Sequence, residues 1–526
     1  MGKRIPGKRI SGGPSRIMRD RKPVKNLILF VLLACTASFT AFSPAPAELK
    51  AVLYFDFNDE ATSIYQKIMS LQLQEARTEL DVFKQQAPNN LIGLFLDNYH
   101  DFMTIFSSDN KSDFNRLKKN MDVRLAKIAR GDRSSPYYLY TQAEIRLQWA
   151  FLHLRYEQYL SAMSDVKQAY ALLDENQRRY PDFIANKKSL GVMHVAIGNV
   201  PDEYKWAIKA LGGMSGDMEQ GMRELEEVLS AAQKQNVVFE EETTVLYGIV
   251  LSYFNNAAEI AFKKMKSSKI NPSKNPIAAF TTAVIAMRAG YNDEAIRLLQ
   301  QAPSGGSYAS FPFKDFLLGI TKLRRLDKDA YQPLEQFLNN SKGENSIKEG
   351  YQKLAWFQLV NNNESGYYQH MNNIKNKGAT HSEPDKAALK EAENGVKPDQ
   401  KLLKARLLFD GGYYQRAYEL LVSSTNPYSE RMFQLEYQYR MGRIVHKLGK
   451  LQEAEQYYQQ TIQYGAQDPW YFACNAALQL GFLYESQKNT DKARAAFKQC
   501  LSLKPTDYAA GLHAQAKAGL SRLKKK

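Results

Sequence analysis

Asn475–Pro505, NAALQLGFLYESQKNTDKARAAFKQCLSLKP, sets small and aromatic residues at the spacing of two antiparallel helices. Leu480-Gly481 and Tyr484 share one face of a first helix, Ala493 and Phe497 share the facing side of a second, and Pro505 cannot continue it. Gly481 and Ala493 let the two backbones approach, and Tyr484 and Phe497 fill the space beside them.

The same spacing returns upstream. AGYNDEA at Ala289–Ala295, GGYYQRA at Gly411–Ala417 and LGKLQEA at Leu448–Ala454 each place a glycine five residues before an alanine, as Lys488 precedes Ala493. Seven residues before these turn positions stand Ala283, Ala405, Gly442 and Gly481, all small. Four residues after the alanines stand Leu299, Leu421, Tyr458 and Phe497, all large. Four linked positions in four units describe stacked hairpins and resemble the tetratricopeptide repeat, whose period is ~34 residues. The resemblance implies an all-α fold of stacked antiparallel helical hairpins, a right-handed superhelical solenoid. Gly442, Ala454, Tyr458, Gly481, Tyr484, Ala493, Phe497 and Pro505 are its structural framework.

Ala417, Ala454 and Ala493 are 37 and 39 residues apart, so the turns vary in length. Weaker copies run from Leu318-Gly319 to Tyr331, from Leu354-Ala355 to Tyr367 and Met371, and through Ile64, Ala76, Leu80 and Pro88. Pro136–Leu173 carries apolar residues at helical spacing without the small-residue code and reads as longer packed helices. No alternating apolar runs bounded by turn dipeptides suggest strands. The expected organisation is a leader at 1–47, an amino-terminal helical region with degenerate repeats at 48–235, and a tetratricopeptide array at 236–526.

The leader has nine basic residues against Asp20, then LILFVLLACTASFTAF at Leu27–Phe42 and SPAPA, the pattern of a secretory signal cleaved before Glu48. Met18 offers an alternative start. Two other readings stay open: Leu32-Leu33-Ala34-Cys35 loosely resembles a lipoprotein box with Cys35 acylated, or the 16-residue apolar stretch stays as an anchor, just below the ~17–25 residues that span a bilayer. Each places the remainder across a membrane, in the periplasm or at the periplasmic face of an outer membrane, with membrane association only through the leader. Of the formal +16, the leader holds +8, so the remaining basicity is no nucleic-acid footprint. Arg522 and Lys524-Lys525-Lys526 read as a solvated end.

Chemistry-bearing patterns are sparse. His100, His153, His194, His370, His381, His446 and His513 show no metal-ligand spacing, so no metal is expected. His381-Ser382-Glu383 lies in the polar stretch Asn373–Asp399, read as a loop, where adjacent residues cannot form an oriented triad. Gly212-Gly213-Met214-Ser215-Gly216 and Ser304-Gly305-Gly306-Ser307 lack the lysine of a phosphate loop and read as turns. No catalytic residue, enzyme activity or cofactor is expected. Cys474 and Cys500 fall near one end of a hairpin; a disulfide is open, and packing as small apolar side chains is the favoured reading.

Gly191–Leu229, GVMHVAIGNVPDEYKWAIKALGGMSGDMEQGMRELEEVL, resembles a signature of the family that includes the eukaryotic inclusion-body clearance protein and tetratricopeptide repeat protein 39. The shared order is Gly191, the Val200-Pro201 break, Leu211-Gly212, the Gly216-Asp217 turn, then Gly221-Met222 and Leu225. With the repeats, the resemblance spans Ser164–Leu523. It implies a continuous helical-repeat fold and a non-catalytic role. Those eukaryotic members lack such a leader, so an exported bacterial relative, similar to helical-repeat proteins of Bacteroidota, is the expected setting.

The leading functional expectation is an exported scaffold that holds a protein or peptide on the concave face of its stack, with no nucleic-acid partner. Tyr413, Tyr414, Tyr418, Tyr437, Tyr439, Tyr457, Tyr458, Tyr464 and Tyr471 supply interface-type side chains, although each reads individually as packing. The alternative is a lipid or small-molecule binding protein, less readily a hydrolase, with a pocket between the amino-terminal helices and the array near Trp149, Phe183 and Trp206.

Overall fold

Eight turns of one shape organise the chain. The computed structural model describes residues 52–200, 214–253, 257–423 and 428–523; the leader with Cys35 and Glu48, then Pro201, Trp206, Leu211-Gly212 and Lys524–Lys526, lie outside them. Among the described residues the fold is all-helical, and the one extended contact is a bridge between Tyr54 and Asn90.

The amino-terminal helices are α1 Asp59–Met69, α2 Leu73–Gln86, α3 Ile92–Ser108, α4 Lys111–Leu117, α5 Asn120–Ile128, α6 Pro136–Arg155, α7 Tyr159–Arg179, α8 Ala185–Gly198, α9 Met218–Ala232, α10 Glu240–Tyr253 and α11 Ala258–Ser267. Then come the hairpins α12 Pro276–Arg288 with α13 Asn292–Gln301, α14 Pro312–Arg325 with α15 Tyr331–Asn340, and α16 Ile347–Val360 with α17 Glu364–Asn376. A single helix, α18 Glu383–Asn394, precedes α19 Gln400–Asp410 with α20 Tyr414–Val422, α21 Arg431–Lys447 with α22 Leu451–Gly465, α23 Phe472–Ser486 with α24 Thr490–Ser502, and the closing α25 Ala509–Arg522.

Within the hairpins the turn residue is left-handed: φ is 83° at Gly290, 81° at Gly412, 77° at Gly449 and 59° at Lys488. The next residue's amide then bonds back five positions, Tyr291 to the Ala286 carbonyl at 2.8 Å and Asn489 to that of Tyr484 at 2.9 Å. This is the six-to-one bond of a Schellman cap, which satisfies a carbonyl that the helix end leaves open. Because the cap fixes the chain reversal, it also fixes which residues of the two helices face each other. Ala283 and Ala405 meet Ala295 and Ala417 with all four at 0% exposure, and Leu299, Leu421, Tyr458 and Phe497 are buried beside the corresponding contacts. Gly442 lies against Tyr458, where an added Cβ would stand 2.9 Å from the ring.

The same left-handed turn recurs at Leu71, Glu157, Leu326 and Asn362. Glu157 corrects the reading of Pro136–Leu173. Its helices are long, as expected, but Ala150 seven residues before the turn and Ala162 five after it are both buried, so the small-residue code is present there too. A glutamate holds the glycine position there, as Lys488 does in the last hairpin. A side chain costs about 1 kcal/mol in this conformation. Lys488→Gly is accordingly expected to stabilise the last hairpin by up to about 1 kcal/mol, read as a raised urea midpoint at unchanged slope.

First helices stack on first helices, α12 on α14, α14 on α16, α19 on α21, α21 on α23 and α23 on α25, while α19 also rests on both α14 and α16. The core continues through residue 235: Phe239, Ile277 and Phe311 share one buried cluster with Tyr65, Tyr99 and Trp149.

Within that cluster lies a closed polar network. Lys188 of α8, 1% exposed, donates to Glu144 of α6 at 2.7 Å and to Glu242 of α10 at 2.9 Å. Tyr65 of α1 and Tyr99 of α3 donate to Glu242 at 2.7 and 3.1 Å, and Ser189 donates to Glu144. Five helices therefore meet at one ammonium. Burial alone would lower the Lys188 ammonium, but the two carboxylates outweigh it and hold it above its ordinary value.

Candidate functional site

Five first helices present one continuous inner surface, and where α16, α19, α21, α23 and α25 meet they line an open cleft of about 1260 Å³. The remaining wall is α18, inside the polar stretch Asn373–Asp399. That stretch was expected to be a loop and instead carries a three-turn helix. Ser382 caps it by accepting from the Asp385 amide at 3.2 Å, and Pro384 suits the first turn. Asp385 is wholly buried and accepts from the Ser346 and Glu349 amides at 2.9 and 3.0 Å, so a carboxylate of α18 also caps α16. Asp385→Ala removes both ties. It is expected to cost about 2 kcal/mol and to raise hydrogen exchange in α16 and α18 together, whereas exchange rising in α18 alone would show that the cross-helix cap contributes nothing.

The cleft is lined by cations set on aromatic rings. Lys353 lies 4.1 Å above Trp356, with Glu349 at 3.3 Å, and burial lowers its ammonium from the ordinary value. The Arg406 guanidinium also lies over Trp356, at 4.7 Å, and its nearest carboxylate, Asp410, is 3.9 Å away, too far for a hydrogen bond. Arg443 lies 4.7 Å over Phe409 and donates to the Tyr439 hydroxyl at 2.8 Å. Arg440, by contrast, is paired with Glu436 at 2.7 Å. Glu391 accepts from neutral donors, the Trp356 indole at 2.8 Å and Gln352 at 2.6 Å. Across the opening, Lys390 of α18 pairs with Asp507, just before α25.

The floor of this cleft is built from α21 and α23, whose hairpins coincide with 435–464 and 475–507, the residues matched by the tetratricopeptide repeat family. The match is confined to these two hairpins. No curated protein matches the chain. A crystal structure of the P58(IPK) TPR domain aligns over 82% of this chain and 97% of its own at 14% identity with a TM-score of 0.21, too low a similarity to support a structural argument.

In these tetratricopeptide repeats the framework residues are buried. Gly442, Ala454, Tyr458, Gly481, Tyr484, Ala493 and Phe497 lie between helices, and Pro505, also buried, follows the end of α24. Of the nine tyrosines singled out in the sequence, Tyr439 and Tyr471 line the cleft; Tyr458 is core, and Tyr464 is 59% exposed. The other cleft residues carried no sequence signal as a group, since Trp356, Arg406, Arg443 and Tyr508 come from separate helices and loops.

Trp149 is fully buried and donates to Asn98 at 2.9 Å, and Phe183 packs edge-on against Tyr137 and Tyr140. Both are core. His381 pairs with Glu157 at 2.9 Å and Ser382 is a helix cap, so the adjacent nucleophile and base types serve packing. His446 meets the Tyr458 hydroxyl at 3.1 Å, and His153 and His194 bond to Asp165 and Glu224. Cys474 and Cys500 are free, buried thiols with Sγ atoms 3.6 Å apart, packed as small side chains between α23 and α24. Among the described residues no cluster has the makings of a metal site, and no helix is long and apolar enough to cross a membrane.

Proposed function

We propose that this protein is an exported, non-catalytic scaffold of a bacterial envelope that holds a segment of a partner protein in the cleft between α16, α18 and the tetratricopeptide repeats. The observation that carries the reading is the cleft itself: about 1260 Å³, open to solvent, and lined by many charged side chains together with Trp356, Tyr439 and Tyr471. Tetratricopeptide repeats use such inner faces for protein partners, because their side chains vary without disturbing the framework. An open mouth and mixed polar walls suit a peptide better than a lipid, which needs an enclosed apolar cavity. The basic, apolar and small-residue segments of 1–47 support export, with cleavage before Glu48 or acylation at Cys35.

The test compares proteins captured from the native envelope fraction by the unaltered protein and by a Trp356→Ala, Tyr439→Ala double variant of matched thermal stability. A partner retained by the first and lost by the second supports the reading. Equal capture by both places binding elsewhere and overturns it. Mass of the mature amino terminus separates Glu48 cleavage from acylated Cys35, and an intact leader in envelope material would overturn both.

A further inference from the structure

Arg406 and Arg443 hold the least satisfied charges on the inner surface. A guanidinium offers five N–H donors. Among the described residues those of Arg406 find only Asp410 at 3.9 Å, beyond hydrogen-bonding reach, and Arg443 uses one donor on Tyr439. Each guanidinium lies over an aromatic ring, Arg406 over Trp356 and Arg443 over Phe409, both at 4.7 Å, and all four residues line the cleft. A guanidinium restrained over an aromatic ring keeps its donor fork for a carboxylate, and the charge-assisted bonds it would form are about twice as strong as neutral ones.

The acids around the cleft narrow the choice of anion. Glu349, Glu383, Glu391, Asp410 and Asp507 also line it. A uniform polyanion such as a nucleic-acid backbone would face carboxylates interspersed among the cations, several of them already paired with lysines. A chain with isolated carboxylates separated by aromatic or basic residues would instead place opposite charges at both kinds of site and pack on Tyr471 and the exposed Tyr508. We infer, building on the scaffold reading above, that the cleft selects an extended partner segment of mixed charge, anchored by acidic side chains on Arg406 and Arg443. Arg440 stays with Glu436 and positions the floor.

The test is a selection of random dodecapeptides displayed on phage against the purified protein, read by sequencing, with Arg406→Gln, Arg443→Gln and Trp356→Ala variants run in parallel after their melting points are matched. The expected result is at least a threefold enrichment of Asp and Glu over the library, interspersed with aromatic or basic residues. That enrichment should vanish in the Arg406→Gln, Arg443→Gln double variant and return in part with Arg406→Lys, which restores charge without the fork. Peptides enriched without acidic residues, yet lost with Trp356→Ala, would overturn the acidic anchor and leave the scaffold reading standing. No enrichment of any peptide would overturn both. Displacement of selected peptides by a dodecathymidylate at equal concentration would make the cleft a polyanion site and overturn the mixed-charge assignment.

Discussion

Lys188→Met is expected to lower the stability of the amino-terminal helices by about 3–5 kcal/mol, the loss typical when one partner of a buried ion pair is removed and the other charge is stranded. Here two carboxylates, Glu144 and Glu242, would be left facing each other among Tyr65, Tyr99 and Tyr140 with no cation between them. Because repeat stacks couple mainly to their neighbours, the measurement should be local. Hydrogen exchange should rise in α1, α3, α6, α8 and α10 while α21 to α24 stay protected. Replacing both carboxylates as well, with Glu144→Gln and Glu242→Gln, should recover part of the loss, since neutral groups can stay buried with their tyrosine donors. A loss below about 1 kcal/mol would mean that the ammonium is not the hub described. The pH dependence follows from the sign of the shift. A cation held above its unfolded value of 10.5 contributes fully below that pH, and its contribution is lost only as pH climbs through the raised folded value, so acid to neutral conditions should leave it unchanged.

Phe497→Ala is expected to cost about 3–5 kcal/mol in the last tetratricopeptide repeat, because the ring is fully buried between α23, α24 and α25. Its partner is an absence of side chain. A Cβ added at Gly481 would collide with the Phe497 ring, and one at Gly519 would stand 2.6 Å from it. Gly481→Ala alone should therefore destabilise by about 1–3 kcal/mol through overpacking, even though alanine favours the helix by about 1 kcal/mol. Once Phe497→Ala has removed the ring, the same alanine should become neutral or stabilising. Urea denaturation of the four proteins completes the cycle, and energies that add within about 0.5 kcal/mol would show that the two positions do not interact.

These two sites differ in how far the sequence exposed them. The Gly481–Phe497 contact was legible because a Schellman turn fixes the distance along the chain between the residues that face each other, so a count of positions is enough. At Glu157 the same spacing, Ala150 and Ala162, lay within two long helices rich in large apolar residues and passed unread. The Lys188 network was invisible for the opposite reason: its members come from five helices, and Glu242 lies 177 residues from Tyr65, so no local spacing relates them. The cleft was half legible. Tyr439 and Tyr471 belonged to a conspicuous tyrosine-rich stretch, but the wall formed by α18 was concealed by its composition. Ser382, Pro384 and Asp385 are a helix start, and the sequence Asn373–Asp399 is polar only because much of that helix faces solvent.

The pairing of Lys390 with Asp507 has a further consequence, for the order in which the molecule is made. One side of the cleft leaves the ribosome with residue 349 and the other with residue 507, and at about 5–20 residues per second the interval is roughly 8–30 s. During that time α16 and α18 can be complete, with Trp356 and Lys353 bare. Only the residues that follow α24 supply the opposite bank. A chain cut after α24 would keep the walls formed by α16, α18, α19, α21 and α23 and lose that bank alone, so the cleft is completed only after its other walls have been made.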